Sequence, residues 1–172
     1  MSTGRRVARI VVVIGVAGAG KTTVGRALAA ALGWPFADGD DRHDEASRAK
    51  MRAGLPLDDA DRAPWLARLA GEIAAWARTG TSAVLACSAL RARYRATLRA
   101  AAPTAVRFVW LDLPAPLAAA RIETRAGHFM PAALVASQYA ALEPPAADEA
   151  IHVDATRPVA EIVARVRAAL ER

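Results

Sequence analysis

The stretch Ile10–Thr23, IVVVIGVAGAGKTT, decides the fold. Its five leading apolar residues are strand-length and run straight into a glycine loop. Gly15 and Gly20-Lys21-Thr22 stand at the spacing G-x-x-x-x-G-K-[ST]. Glycines let the backbone of Gly15, Val16, Ala17, Gly18, Ala19 and Gly20 curl so that successive N–H groups face phosphate oxygens. The helix opening at Lys21, Thr22 and Thr23 adds the positive end of its dipole. Lys21 is expected to bridge the terminal phosphates and the Thr22 hydroxyl to meet Mg²⁺. A dinucleotide site is excluded, because Gly18-x-Gly20 is followed by Lys-Thr-Thr rather than by a third glycine. The loop specifies a nucleoside triphosphate and leaves the acceptor open.

Working outward, further strand-length apolar runs occur at Ser82–Cys87, Val106–Leu111 and Ile151–Val153, with a shorter one at Trp34–Ala37. Helical stripes separate them: Leu66, Leu69, Ile73 and Trp76 form one, and Val159, Ile162, Val163, Val166 and Leu170 another. Thr156 and Pro158 are start signals for the second. Strands alternating with helices predict an α/β fold with a parallel sheet covered on both faces, its ligands gathered at the carboxyl ends of the strands. At 172 residues the chain is expected to form one domain, 1–172. The net charge of +6 suits a polyanionic partner, either nucleic acid or a phosphorylated or carboxylated small molecule. Aromatic interleaving and readout motifs are missing, so nucleic acid is not expected. The single cysteine, Cys87, reads as core filler and fits a reducing, cytoplasmic setting. Gly, Lys and Arg interrupt every apolar run short of a membrane span.

The polar clusters follow strands. FADGDDRHDEASRAKM, residues 36–51, places Asp38 and Asp40 at a strand end. One carboxylate can take the proton of an acceptor hydroxyl while the other positions a metal through water; Asp40 and Asp38 are assigned these tasks. His43 reads as a substrate hydrogen-bonder, because no second histidine or cysteine stands at ligand spacing. In GLPLDDADRAPWL, Asp58 and Asp59 read as caps, Pro64 as a first-turn residue, and Arg62 as a guanidinium fork for an anion. In VLACSALRARYR, Ser88 and Arg91 offer a hydroxyl and a cation where a strand gives way to a helix. RIETRAGHFMP sets Arg121 and Arg125 on one helical face before Gly127 and His128-Phe129-Met130-Pro131. This is the pattern of a lid, around 121–135, closing over a triphosphate.

The segments GVAGAGKT, DGDDRH, KMRAGLPLDDADRAPWL, CSALRARYR, GHFMPAALVASQ and LEPP, in this order, resemble the P-loop gluconokinase family from about Val11 to Pro158. The resemblance implies a nucleoside-monophosphate-kinase-like, three-layer P-loop kinase fold with a five-stranded parallel sheet and a helical lid. It implies ATP-dependent phosphorylation of D-gluconate at its 6-hydroxyl, with Mg²⁺, and commonly a homodimer. Under it, Asp38, Asp40, His43, Lys50, Arg62, Ser88, Arg91 and His128 are expected to meet the acceptor, and Lys21, Asp40, Arg121 and Arg125 to act in transfer. The chain departs from the family pattern at Arg42, Asp44, Ser47 and Arg91, all near the expected acceptor pocket. A sibling kinase acting on another small acceptor such as shikimate is the rival reading.

Overall fold

Every residue of β1 (Ile10–Ile14) is buried, and the strand lies at the centre of a parallel sheet. The computed structural model describes residues 7–125 and 131–172. Within these, β2 (Phe36–Asp38), β3 (Ala83–Ala86), β4 (Val106–Asp112) and β5 (Ala150–Asp154) complete the order β2-β3-β1-β4-β5. The helices are α1 (Lys21–Leu32), α2 (Glu45–Arg52), α3 (Asp59–Thr79), α4 (Ala92–Ala101), α5 (Ala115–Glu123), α6 (Ala132–Ala141) and α7 (Val159–Leu170).

Alternation along β1 explains why its run is wholly apolar. Ile10, Val12 and Ile14 enter one core with Trp65, Leu66, Leu69 and Ile73 of α3 and Leu98 of α4. Val11 and Val13 enter the opposite core with Val24 and Leu28 of α1 and Ile162 and Val166 of α7. Each such side chain taken out of water contributes about 1.5–3 kcal/mol, so both layers are held by the same five-residue strand. Helix α1 stops at Gly33 in the left-handed conformation and turns directly into β2. Its Gly25 meets β2 closely: a Cβ there would lie 2.6 Å from the Phe36 ring.

Register sets the site. Val13 pairs with Ala86, and Ala86 with Asp38, so β1, β3 and β2 end at one level. The glycine loop, the 3₁₀ turn Gly39–Arg42 and the Cys87-Ser88 segment therefore emerge side by side.

The predicted second strand shifts from Trp34–Ala37 to Phe36–Asp38, taking Asp38 into the sheet edge. Pro64 falls beyond the first turn of α3, because a capping box between Asp58 and Asp61 starts that helix at Asp59. Asp59 is not a cap; it accepts from Tyr94 Oη and pairs with Arg93. Thr156 does not start α7, since both its amide and its hydroxyl donate to Asp154; Pro158 is the N-cap. Arg125 lies past the end of α5 rather than on its face. Gly127, His128 and the rest of the 126–130 segment, the middle of the expected lid, lie outside the described residues. None of the described helices is long and apolar enough to cross a membrane.

Candidate active site

Two glycines of the loop carry its shape. Gly20 precedes α1 at φ +93°, a conformation that disfavours any side chain. Gly18, at φ +82°, is pressed so close to α5 that a Cβ would sit 3.0 Å from the Ala118 carbonyl. Arg121 reaches back from α5 and donates to the carbonyls of Gly18 (3.2 Å), Ala19 (3.5 Å) and Ala155 (2.8 Å). It thus acts on the loop's backbone, occupying carbonyls that would otherwise oppose an anion. Gln138 of α6 accepts from the Ala17 amide at 2.6 Å. Lys21 Nζ donates to the Val16 carbonyl at 3.0 Å. Burial lowers the Lys21 pKa, and the nearby Asp40 carboxylate opposes that shift.

The loop is tied to the strand tip by one bond. Thr22 Oγ1 donates to Asp38 Oδ2 at 2.8 Å, while Asp38 Oδ1 accepts from the Asp40 amide at 3.0 Å. Asp38 is thereby committed to the loop, and Asp40 is left free to face an open cleft of about 440 Å³. Lys21, Thr22, Asp40, His43, Arg62 and Ser88 share its walls. His43 is buried and stacked on Trp65, with ring centroids 4.4 Å apart. Its Nδ1 is buried and has no hydrogen-bond partner among the described residues. Burial lowers the His43 pKa, with Arg62 and Arg48 adding to the effect against Asp40, so the ring is neutral at pH 7. A second hollow of about 300 Å³ lies on the far side of Gly18–Gly20, between Arg121, Arg157 and Ile162. Arg125 borders both spaces.

A phosphate-gripping loop facing a carboxylate across a cationic cleft is the layout of a small-molecule kinase. A family model described as an AAA domain matches residues 10–145. A gluconokinase of Gluconobacter oxydans (strain 621H) is 48% identical over 143 residues, covering 83% of this chain and 80% of that protein. The thermosensitive gluconokinase of Escherichia coli (strain K12) is 41% identical over 161 residues, covering 92% of this chain and 86% of that protein. The crystal structure of a gluconokinase from Sinorhizobium meliloti 1021 superposes with a TM-score of 0.87 at 41% identity, covering 97% of this chain and 94% of that chain. The chain belongs to the gluconokinase family.

Not all residues expected at a gluconokinase acceptor site reach the cleft here. Lys50 is held by Asp61 through contacts of 2.7 and 2.9 Å, and Arg91 pairs with Glu143 at 3.8 Å. Both are absent from the cleft wall, each drawn off by a carboxylate from another part of the chain. His128 lies outside the described residues.

The structure adds Arg52, Trp65, Arg125 and Gln138 to the wall. Of these, sequence reading had placed only Arg125, as a lid residue, while Gln138 stood inside the SQ motif without a role. Cys87 is buried, and desolvation pushes its thiol up to about 12, which removes it from nucleophilic chemistry. The departures from the family pattern have structural partners. Asp44 caps α2 by accepting from the Ser47 amide at 2.8 Å, and Arg42 forms a two-pronged pair with Glu72 at 2.7 and 3.0 Å.

Proposed function

We propose that this chain transfers the γ-phosphoryl group of ATP to the 6-hydroxyl of D-gluconate, yielding 6-phospho-D-gluconate and ADP. One observation carries the reading: Asp40, the phosphate loop and Arg62 all line the same cleft. A sugar acid needs a base for its alcohol and a cation for its carboxylate, and this cleft supplies both.

The Asp40 carboxylate takes the proton as the acceptor oxygen forms its bond to phosphorus and the bond to the β-phosphate bridging oxygen breaks. Loop amides and Lys21 hold the charge shed onto ADP, so catalysis rests on position and electrostatics. Arg62 meets the gluconate carboxylate as a fork, and His43 and Ser88 receive its hydroxyls. Arg121 keeps the loop carbonyls of Gly18 and Ala19 occupied so that the amides are left for phosphate.

The Thr22 hydroxyl and Asp38 carboxylate, 2.8 Å apart, are a hard-oxygen pair. This suits Mg²⁺, which retains several waters and takes few protein ligands. These two residues would hold it, the aspartate through water, and the ion would supply charge neutralisation between the phosphates.

A coupled ADP-release assay across gluconate, shikimate, other sugar acids and polyols tests the reading. Gluconate is expected to be the preferred acceptor, and its failure beside another active acceptor would overturn the choice. Asp40→Asn is expected to lower kcat by about 10²-fold or more. Near-normal kcat in that variant would remove Asp40 from the role of base.

A further inference from the structure

Residues 38–43 make the turn that carries Asp40 and His43, and every carbonyl in it is occupied. Arg42 Nη1 donates to Asp38 O (3.5 Å) and Trp65 Nε1 to Gly39 O (2.7 Å). The His43 amide donates to Asp40 O (3.4 Å). Arg48 Nη2 donates to Asp41 O (2.9 Å), Arg68 Nη1 to Arg42 O (2.7 Å), and Arg48 Nε to His43 O (3.0 Å). Five of these six donors are side-chain groups, and four of the five belong to three arginines. The turn is too short to hold itself by backbone ladders, and β2 ahead of it is an edge strand of three residues. Four of the six bonds come from outside the turn, from Arg48 of α2 and from Trp65 and Arg68 of α3.

Arg48 has a particular place in that set. One guanidinium spans two carbonyls of the turn, Asp41 and His43, and so fixes the backbone immediately after Asp40 together with that of His43 itself. A planar fork does this at fixed spacing; a lysine ammonium, a point charge on a flexible stem, does not. Arg48 is exposed on α2 and is not among the residues of the cleft wall, so it touches no substrate there.

We propose that Arg48 is a positioning residue for phosphoryl transfer, acting through the turn to hold Asp40 and His43 at the acceptor. The inference rests on the acceptor assignment above. A displacement of about 1 Å at a reacting group costs on the order of 10²-fold, so loosening the turn registers in turnover.

The test compares Arg48→Met and Arg48→Lys with the parent enzyme, each also in an Asp40→Asn background. Arg48→Met is expected to lower kcat on gluconate about tenfold or more with an unchanged KM for ATP. Arg48→Lys should recover little of it. In the Asp40→Asn background the same change should cost clearly less than in the parent, because one of the two residues it positions is gone and only the share acting through His43 remains. Equal losses in both backgrounds, or a kcat within about twofold of parent, would overturn the proposal.

A readout without acceptor accompanies this: amide hydrogen exchange of the peptide spanning residues 38–44. In Arg48→Met it should rise while that of α1 stays constant; unchanged exchange would overturn the proposal. If the parent enzyme ignores gluconate, the acceptor assignment fails, and the exchange result still decides the role of Arg48.

Discussion

Replacing Arg95 with methionine would test how the cleft is braced. Arg95 on α4 is 1% exposed and is not part of the cleft wall, yet its guanidinium joins two parts of the chain. It donates to the carbonyls of Ala89 (3.1 Å), Leu90 (3.0 Å) and Glu143 (3.0 Å), and it pairs with Glu149 at 2.6 Å. Ala89 follows the cleft residue Ser88 and holds a positive φ of 40°, a conformation that needs outside support in a non-glycine residue. Methionine fills similar volume but takes the guanidinium away from the Ala89 and Glu143 carbonyls and from the Glu149 carboxylate, while Leu90 O keeps the Glu143 amide at 2.9 Å. Breaking a buried pair from one side costs about 3–5 kcal/mol. The Glu149 side chain is 27% exposed and recovers some hydration, so the lower figure applies. At roughly 2–4 °C per kcal/mol for a chain of this size, Tm should fall by about 6–12 °C.

The loss should also depend on pH. The hydrogen bond from Arg95 holds the Glu149 carboxyl below its ordinary 4.5. A depressed carboxyl stabilises the fold above that value and ceases to do so as pH falls through its folded pKa. The Tm gap between parent and Arg95→Met should therefore be full at pH 7 and narrow in acid. Thermal unfolding followed by circular dichroism measures both. A fall of less than about 3 °C at pH 7 would refute the idea that this arginine clamps the two loops.

Lys21→Ala should reduce kcat in the coupled assay by about 10³-fold with little change in Tm, and a loss under about tenfold would contradict the loop assignment. Cys87 should resist a thiol-specific disulfide reagent at pH 8 in the native state, because burial holds its thiol at about 12, and should react fully once denatured. Stoichiometric labelling of the folded enzyme within minutes would show that this strand end opens.

Strand β1 was legible to the residue, since an unbroken apolar run bounded by Arg9 and Gly15 has no other consistent reading. Strand β2 was displaced because three residues at a sheet edge are too few for periodicity, and its last member is an aspartate. Asp40, His43, Arg62 and Ser88, expected to meet the acceptor, do line one cleft, and each follows a strand or sits beside a helical cap. Lys50 and Arg91 looked equivalent to them, and what separates them is a pairing across the fold, to Asp61 and Glu143. Charge in a sequence does not say which carboxylate will claim it. Gln138 was hidden for the opposite reason: its contact is one amide oxygen meeting the main chain at Ala17, 121 positions away. Arg42, a departure from the family pattern, finds its counterpart in Glu72 of α3.

Arg125 stands on the border between the two hollows, and that placement has a thermodynamic result. Where one cation touches the occupants of two compartments, any coupling it carries is mutual: whatever factor the first ligand lends the second, the second must return. If nucleotide and gluconate both reach Arg125, titrations of nucleotide with and without gluconate should reveal one shared coupling factor that Arg125→Ala reduces.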